Sequence, residues 1–427
     1  MRHYKYSQGV KSKNKAEGPR KLLRLLIVTS DYTHPTRHRV HFFLSPLAKK
    51  LNVFVLSIER ITLRSDQPLK DIINSLLDLF KLVLFRRINV YMSSVSSENS
   101  ANERYLVYRV KFSLPFSSSI MLSIFICPYI IRLLVKRCAI DVIWSIGPIA
   151  GINVVLSKVD VPVIYDDHDR RFLFCENFIM RLLVKFAEET CILKANVVTA
   201  AGPTLFKSSK EIRNGRSVVL IPNPVDLKEF DQFRDFDKKY DLVYIGVIEP
   251  WSGLHHVIES LNIAIEYKPD IKLTIVGPIT NKAYFNRLIR LVKIHNLNKN
   301  VIFLGKKSYK EVIRIVKSSK VGVAVFSPVE SVKYAFPHKL LDYMASQIPI
   351  ITSSIGDSAQ LVKKANCGVI VDPNPQSIAN AILDILSDEE SQRNYGLNGY
   401  NYVSRYNIDE VSQKLIRLFE LFYKYAQ

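Results

Sequence analysis

The sequence predicts an α/β protein in which two Rossmann-like domains with parallel sheets face each other across a cleft. Three observations predict this fold class. Short uncharged apolar runs alternate with amphipathic segments along most of the chain, as expected for buried parallel strands and their crossover helices. At 427 residues the chain is too long for one ordinary core. A stretch with two prolines and then dense charge, at 218–239, separates two such alternations and predicts a linker.

The first alternation predicts an N-terminal domain at residues 21–217, preceded by a disordered basic tail at 1–20. Its expected elements are a strand at 22–30, a helix at 39–50, strands at 53–58, 141–145 and 161–165, a helix at 178–195 and a strand at 196–200. No Gly-x-Gly-x-x-Gly follows the first strand, which argues against a dehydrogenase.

The second alternation predicts a C-terminal domain at residues 240–405. Its expected strands are 240–245, 272–276, 301–304, 321–325, 348–351 and 368–371, and its expected helices are 254–267, 282–295, 309–318, 337–345 and 375–386. An amphipathic helix within 406–427 ends the chain and is expected to pack back towards the N-terminal domain.

Two apolar segments of the N-terminal domain leave their placement open. Residues 69–92 are apolar with interspersed cations, and residues 113–131 contain no charge over 19 positions but include two prolines. The second segment almost reaches the length of a membrane-spanning helix. A buried or peripheral helix ranks first, an interfacial membrane helix second and a true span third.

Charge is distributed unevenly along the chain. Of the net +21, residues 1–140 carry +16 (24 Lys/Arg against eight Asp/Glu), and residues 141–427 carry +5 (36 against 31). Such a field attracts nucleic acid or an anionic membrane surface. Nucleic-acid motifs are absent, so the membrane is preferred. Five scattered cysteines and a first stretch without a signal-peptide core favour an unsecreted protein in a reducing compartment, which predicts a cytoplasmic location, peripheral on the inner face of the cell membrane.

The strongest candidate site lies where the strand at 321–325 gives way to a loop and then a helix. Pro337 suits a first helical turn, whose free N–H groups and positive dipole end attract an anion. Lys339 adds a charge to that turn. Asp342, one turn further, offers a carboxylate to a vicinal diol. Phosphate beside a sugar diol describes a nucleotide, although a solvated Lys and Asp on an ordinary helix would give the same pattern.

Other candidates follow strands that should end at the same cleft. Arg37, His38 and Arg39 lie where the first loop meets its helix and are candidates for the acceptor side, as is Asp166; solvated charges remain the alternative. The run Asp166-Asp167-His168-Asp169 ends another strand and could be catalytic, metal-binding or simply a polar capping loop. Glycines 246, 277 and 305 each follow a strand, where a missing side chain permits a tight turn or close approach to a ligand.

The sequence resembles the retaining GT-B glycosyltransferases of family 4. The resemblance runs from about residue 22 to the C-terminus and is strongest from residue 218. Six stretches carry the resemblance: 165–169 (Tyr-Asp-Asp-His-Asp), 221–226 (Ile-Pro-Asn-Pro-Val-Asp), Gly246 with 252–254 (Ser-Gly-Leu), 273–278 (Leu-Thr-Ile-Val-Gly-Pro), 301–305 (Val-Ile-Phe-Leu-Gly) and 337–345 (Pro-His-Lys-Leu-Leu-Asp-Tyr-Met-Ala) followed by 348–351. Each motif is short, but all six occur in the family's order.

The resemblance implies transfer of a sugar from a nucleotide diphosphate sugar to an acceptor hydroxyl, with retention at the anomeric carbon and no required metal. Asp342 would hold the ribose diol, Lys339 and the helix start would stabilise the diphosphate leaving group, and His168 would lie beside the transferred sugar. The donor-binding set it implies is Gly246, Gly277, Phe336, Pro337, His338, Lys339 and Asp342. The acceptor is expected to be a glycan or a lipid-linked or cell-surface glycan precursor.

The sequence departs from the family pattern most clearly at three positions; in addition, the second acid is Asp342, one methylene shorter than usual, and no Gly pair precedes the first helix. Tyr334 stands where the first of two paired acids is usual, and Val247 and Ser252 replace the usual phosphate-binding Arg and Lys. Arg37, Arg39, Lys333 or Lys339 are the candidates to compensate. The alternative is a non-catalytic, membrane-associated scaffold or partner subunit with a degenerate donor site. Nucleic-acid binding through the basic front half is a third hypothesis.

Overall fold

The computed structural model describes residues 22–30, 39–60, 91–96, 104–112, 116–233 and 237–426. Within these residues the chain forms two α/β domains, each with a mainly or wholly parallel sheet whose two faces are covered by buried apolar clusters. The two Rossmann-like domains predicted from the alternation of apolar runs are therefore confirmed. The predicted tail at 1–20 lies outside the described residues, as does most of the apolar segment 69–92.

The N-terminal sheet has eight strands within the described residues, in the order β3-β4-β2-β1-β5-β6-β7-β8. Its strands are Arg24–Thr29 (β1), Asn52–Arg60 (β2), Tyr91–Ser96 (β3), Arg104–Phe112 (β4), Val142–Ile146 (β5), Val163–Asp167 (β6), Val197–Ala200 (β7) and Val218–Leu220 (β8). Its helices are Arg39–Ala48, Phe116–Arg137, Pro148–Ser157, Phe178–Lys194 and Pro203–Ile212. All pairs are parallel except β3 with β4.

The C-terminal sheet has six parallel strands in the described part of the chain, in the order β11-β10-β9-β12-β13-β14. Its strands are Tyr240–Ile245 (β9), Leu273–Val276 (β10), Val301–Gly305 (β11), Ser319–Ala324 (β12), Ile350–Ser353 (β13) and Gly368–Val371 (β14). Its helices are Leu227–Asp231, Leu254–Ala264, Lys282–Ile294, Tyr309–Lys317, Glu330–Lys333, His338–Ala345, Gly356–Ala365, Pro375–Ser387 and Glu389–Val403. Strand order reverses between β9 and β12, and ligands of doubly wound sheets bind at such a reversal.

The N-terminal sheet differs from the sequence prediction in two places. Residues 218–220, predicted as a strand within the linker 218–239, form β8 and pair with β7, so this strand belongs to the N-terminal sheet. The edge strands β3 and β4 were not predicted, because they fall near the apolar segment 69–92 that gave no clear period. Both differences lie at the edges of the N-terminal sheet, away from the reversal point of the C-terminal one.

The chain crosses between the domains twice, side by side. Val225 accepts from the amide of Ile408 and donates its own amide to the carbonyl of Tyr406, so the outgoing linker and the returning segment are hydrogen-bonded to each other. The terminal helix Ile408–Ala426 then packs on the N-terminal domain, where Phe419 contacts the buried ring of Trp144 at 6.0 Å between centroids. The two hydrogen-bonded crossings therefore join the domains on either side of the cleft.

Residues 116–131 of the apolar segment 113–131 belong to a helix that covers the N-terminal sheet. Cys127, Ile130 and Ile131 on the helix Phe116–Arg137 are buried in an apolar cluster with β1, β2 and β5. Among the described residues, no helix combines the length and the apolar character that crossing a membrane would require. A packed helix, the first of the three alternatives, is what the structure shows for its described side chains.

Candidate active site

A cavity of about 1080 Å3 lies between the domains, at the carboxyl ends of strands from both sheets. Eight residues singled out from the sequence line it: His168, Gly246, Gly277, Phe336, Pro337, His338, Lys339 and Asp342. The structure thus brings the predicted donor-binding set together with the predicted catalytic histidine of the other domain. A cleft of this size can hold a nucleotide sugar and part of an acceptor.

Lys339 carries the most unusual electrostatics of this cavity. It lies in the first turn of the helix His338–Ala345 and is only 9% exposed. Its Nζ atom lies 3.9 Å from the centre of the Tyr244 ring, and no described residue offers it a hydrogen bond. Burial lowers the pKa of the ammonium group to about 7. A buried cation without a carboxylate is costly unless an anion joins it, so the site is prepared for an anionic ligand.

Two glycines give the backbone its shape around Lys339. Gly277 has φ +153°, and a Cβ there would lie 1.8 Å from the carbonyl oxygen of Gly246. Gly246 has φ +131°, and a Cβ there would lie 3.1 Å from the Lys339 Nζ atom. Only glycine fits both positions, because a side chain would collide with the neighbouring backbone or with the ammonium group. The two strand ends therefore approach each other and the Lys339 ammonium group closely.

Asp342 is held in place by two neighbours in the cavity. Its Oδ1 atom accepts a hydrogen bond from the Tyr309 hydroxyl at 2.7 Å and lies 3.3 Å from Nδ1 of His338. Nε2 of His338 donates to the Pro224 carbonyl at 2.7 Å, because a carbonyl can only accept. The His338 ring also stacks on Phe42 of the N-terminal domain at 4.1 Å. Asp342 is thus positioned by contacts that reach the linker and the opposite domain.

His168 reaches the cavity from the end of β6. The next residues hold that turn: Arg170 donates two hydrogen bonds to Asp167, at 2.8 and 2.7 Å, and Ser209 also donates to Asp167. Burial raises the pKa of the Asp167 carboxyl, and the charge of Arg170 opposes that shift. The buried pair fixes the backbone from which His168 projects, so the imidazole faces the cavity from a rigid turn.

The predicted acceptor-side residues are placed differently. Arg39 and Asp166 form a buried pair, with Nε of Arg39 2.5 Å from Oδ2 of Asp166, and neither lines the cavity. Arg39 also donates to the Asn223 side chain at 3.0 Å and to the Ile221 carbonyl at 2.6 Å, and Thr199 donates to Asp166 at 2.5 Å. These contacts tie the N-terminal domain to the linker. Arg37 and His38 lie outside the described residues.

The three residues that depart most clearly from the family pattern lie at different distances from the cavity. Val247 lines the cavity, and Ser252 is buried behind it. Tyr334 does not line the cavity; its ring lies 5.6 Å from the Arg170 guanidinium. Of the candidates to compensate, Arg39 is paired with Asp166 and Lys333 is not among the lining residues. Of the candidates that the structure describes, Lys339 reaches the cavity.

The sequence analysis missed several residues that line the cavity. Lys306 and Lys307 follow the strand β11 directly, and Tyr309 begins the next helix. Trp251 lies edge-on to Phe174 of the other domain, 6.3 Å between ring centres, and so spans the cleft. The lysine pair had a usable signal, because it ends a strand of the same sheet. The aromatic pair had none, because its two members come from different domains.

No group of three His, Cys, Asp or Glu side chains within the described part of the chain could hold a metal ion. Two aspartates of the run 166–169 instead pair with arginines: Asp166 pairs with Arg39, and Asp167 pairs with Arg170. The independence from metal implied by the resemblance remains a prediction.

The comparisons with known proteins agree with this geometry. Residues 226–402 match the model of the family described as glycosyl transferases group 1. N-acetyl-alpha-D-glucosaminyl L-malate synthase of Bacillus anthracis is 20% identical over 370 residues, covering 84% of this chain and 82% of the relative.

Two solved structures show the same fold across almost the whole chain. Sucrose-phosphate synthase of Thermosynechococcus elongatus superposes with a TM-score of 0.71 at 17% identity, covering 94% of this chain and 100% of the other. HepE of Anabaena, solved in complex with UDP, superposes with a TM-score of 0.63 at 14% identity, covering 93% and 100%. The two-domain GT-B architecture expected from the sequence is confirmed. Through residues 226–402 of its C-terminal domain, this chain is similar to the glycosyl transferases group 1.

Proposed function

We propose that this protein is a retaining glycosyltransferase that moves a sugar from a nucleotide diphosphate sugar to an acceptor hydroxyl. The observation that carries the proposal is the buried Lys339 ammonium group, which faces the cavity without a hydrogen-bond partner among the described residues. The match of residues 226–402 to the group 1 glycosyltransferases and the UDP held by the structurally similar HepE support a nucleotide sugar as the ligand.

The diphosphate is proposed to bind between Lys339 and the free N–H groups at the start of the helix His338–Ala345. The charge of the diphosphate raises the pKa of Lys339 from its lowered value of about 7, so the lysine is protonated in the complex. Gly277 lets the Gly246 backbone approach closely, and Gly246 has no side chain to come between the phosphates and the Lys339 Nζ atom. Lys306 and Lys307, which line the same cavity, supply further positive charge where Val247 and Ser252 provide none.

The nucleoside is proposed to be held by Asp342. Tyr309 and His338 both contact Oδ1 of this carboxylate, and Oδ2 is available to the ribose hydroxyls. The donor sugar then extends towards His168 on the opposite wall. This arrangement places the anomeric carbon between the two domains, where the acceptor enters.

The reaction follows from the charges. The bond between the anomeric carbon and the distal phosphate oxygen breaks, and the nucleoside diphosphate leaves with the electron pair. The acceptor oxygen bonds to the same face of the sugar, and its proton passes to the leaving phosphate, so configuration is retained. Lys339 and the helix start stabilise the negative charge that develops on the phosphate. His168 orients the sugar from the opposite domain.

The acceptor is proposed to be a glycan or a lipid-linked or cell-surface glycan precursor, met at the inner face of the cell membrane. The net charge of +16 over residues 1–140 supports attraction to anionic lipid. Neither a metal nor another cofactor is proposed for the transfer, since cationic side chains stand at the phosphate site.

A thermal-shift screen with nucleoside diphosphates and their sugars tests donor binding. A ligand at 100 times its Kd stabilises the native state by about 2.7 kcal/mol, so a binder raises the Tm measurably. The binder is then assayed as a labelled sugar donor, with hydrolysis or transfer as the readout. Lys299→Met, which removes an exposed lysine of the same domain, serves as the control for Lys339→Met.

A second candidate is a non-catalytic partner subunit with a degenerate donor site, favoured by Tyr334, Val247 and Ser252 at the three departures. It predicts that uridine, guanosine, thymidine and adenosine diphosphates and their sugars all leave the Tm unchanged. That result would overturn the proposed activity.

A further inference from the structure

The helix Phe178–Lys194 presents an apolar face to solvent. Phe178 is 71% exposed, Ile179 66% and Phe186 68%. The exposed apolar side chains of this helix are Phe178, Ile179, Leu182, Leu183, Phe186 and Leu193. At 3.6 residues per turn, all six fall within an arc of about 140°. They share one side of the helix, hereafter the outer stripe, in which the partly exposed Glu189 and Thr190 separate Phe186 from Leu193.

The outer stripe is not the side by which the helix packs. Val184, Cys191 and Ile192 are buried on the opposite side, against the helix Pro148–Ser157 and the strands β6 and β7. A surface helix normally carries polar residues on the side that faces away from the core. This helix is apolar on both sides, and one of them is covered by no described residue. Contiguous exposed apolar surface of this kind marks an interaction site.

Cations border the outer stripe. Arg181 and Lys185 project from one edge and Lys194 from the other, and all three are exposed. Glu189 is the acidic residue of the helix that is partly exposed, while Glu188 is buried. Lysine and arginine can rest their aliphatic stems on an apolar surface while their charges reach outward. An apolar stripe with a cationic border matches the interface of an anionic bilayer, with its acyl region and phosphate headgroups.

The same layer of helices continues this character. The helix Pro148–Ser157 lies between the helices Phe116–Arg137 and Phe178–Lys194. On the helix Phe116–Arg137, Phe125 and Tyr129 are exposed, and Arg132, Lys136 and Arg137 carry exposed charge without any acid. A second copy of the chain would bring these cations against their own kind in a symmetric contact. Charge therefore favours an anionic lipid surface over a self-dimer.

The outer stripe starts beside the wall of the cavity. Leu173, Phe174 and Glu176 line the cavity, and the helix begins two residues later at Phe178. The side chain of Asn177 caps this start by accepting from the amide of Met180 at 3.0 Å. The cap fixes the direction in which the helix leaves the cavity wall. A surface that held the outer stripe would therefore lie close to this part of the cavity wall.

We infer that the outer stripe of the helix Phe178–Lys194 docks the protein on an anionic phospholipid bilayer, with the adjoining part of the cavity wall close to the headgroups. Docking does not depend on the proposed transferase activity. One consequence does rest on that proposed function: the acceptor is then a lipid-linked saccharide whose sugar end enters the cavity from the membrane side.

Vesicle flotation tests the inference with the full chain and no nucleotide sugar. Vesicles of phosphatidylcholine alone are compared with vesicles that also contain phosphatidylglycerol. The test variant is Phe178→Gln/Leu182→Gln/Phe186→Gln, which keeps good helix formers at exposed positions. The matched control is Tyr267→Gln/Ile294→Gln/Leu397→Gln, which removes three exposed apolar residues of the C-terminal domain.

The wild type and the control variant are expected to float with the phosphatidylglycerol vesicles, and the outer-stripe variant is expected to lose roughly tenfold or more in partitioning. Lys185→Gln/Lys194→Gln should weaken binding and reduce its salt dependence. Far-UV circular dichroism and the Tm should match the wild type in every variant, because the changed residues are exposed.

Three results would overturn the inference. In the first, the wild type fails to bind either kind of vesicle. In the second, the outer-stripe variant binds as well as the wild type. In the third, sedimentation shows a wild-type dimer that the outer-stripe variant disrupts, while vesicles capture neither protein. Hydrolysis of a soluble nucleotide sugar is measured separately, so loss of vesicle binding with intact hydrolysis rejects docking and leaves the proposed function standing.

Discussion

The two walls of the cleft treat their charged residues in opposite ways. Behind the N-terminal wall, Arg39 pairs with Asp166 and Arg170 with Asp167; both pairs are buried, and none of these four residues lines the cavity. On the C-terminal wall, Lys339 is equally buried but has no carboxylate or hydrogen-bond acceptor among the described residues. Both sets of residues follow strands or start helices at the same edge, so position alone does not separate them.

The presence or absence of a partner, rather than the position at a strand end, therefore separates a buried charge that holds the structure from one that can bind a ligand. A paired buried charge contributes to holding the structure, since its partner offsets the cost of leaving water. An unpaired buried charge at a cavity costs stability in the empty protein and gives binding energy when a counter-ion arrives. The predictions below separate these two cases.

Asp166→Ala should give the largest effect. It leaves Arg39 buried without its partner, which costs about 3–5 kcal/mol in the free energy of unfolding. Urea unfolding measures the change. Asp409→Ala, which breaks the exposed contact with Lys228 at 2.9 Å, is the control and should change stability far less. Equal losses in the two variants would contradict a structural role for the buried pair.

Gly277→Ala should come next, because its Cβ would collide with the Gly246 carbonyl oxygen at 1.8 Å. The control is Gly305→Ala, which also follows a strand and has φ +65°, but whose Cβ meets nothing within 4 Å. We expect Gly277→Ala to cost about 1–3 kcal/mol more than the control. It should also abolish donor binding at a temperature where the variant is folded. Unchanged nucleotide affinity would show that the glycine turn is not part of the phosphate site.

Lys339→Met should weaken donor turnover roughly tenfold or more, because it removes the charge that stabilises the leaving diphosphate. Asp342→Ala should cut turnover to a similar degree by removing the ribose contact. Lys299→Met should have no effect. Full activity of both site variants would defeat the assignment of this site.

Lys339→Met should also change how the free energy of unfolding depends on pH. The pKa of Lys339 is lowered from 10.5 to about 7 in the folded protein, so between these values the unfolded chain binds more protons. The wild type therefore gains stability as pH rises from about 7 towards 10.5. Lys339→Met should flatten this part of the stability profile. Parallel profiles for the two proteins would show that the ammonium group is not desolvated.

The C-terminal domain could be predicted well from the sequence, and the N-terminal domain less well. Most C-terminal strands are short apolar runs that end in glycine or a polar turn, so the strands and the site helix follow from one pattern, whereas the helices Gly356–Ala365 and Glu389–Val403 were not predicted. In the N-terminal sheet β8 has only three residues and leads into a proline turn, which made it look like linker. The strands β3 and β4 lie beside an apolar segment with mixed charges and gave no clear period.

The site itself was predictable on the side where its residues are close in sequence. Pro337, Lys339 and Asp342 share one helix, and helical spacing places them together. Tyr309, Trp251 and Phe174 come from separate elements, and the contact between Trp251 and Phe174 depends on how the domains face each other. The role of Asp166 also could not be read from spacing, because its partner Arg39 lies 127 residues away. The outer stripe was hidden for a related reason: a helix apolar on both sides does not reveal which side packs.

The proposed function depends most on binding of the diphosphate by Lys339, and calorimetry measures this binding directly. A nucleoside diphosphate chosen from the uridine, guanosine, thymidine and adenosine series is titrated at pH 8, in two buffers that differ in ionisation enthalpy. The pKa of Lys339 is about 7 in the empty cavity and rises next to phosphate, so binding should take up about one proton and affinity should fall as pH increases above 7. Lys339→Met should take up none. Binding without proton uptake, or equal uptake by the variant, would contradict the account.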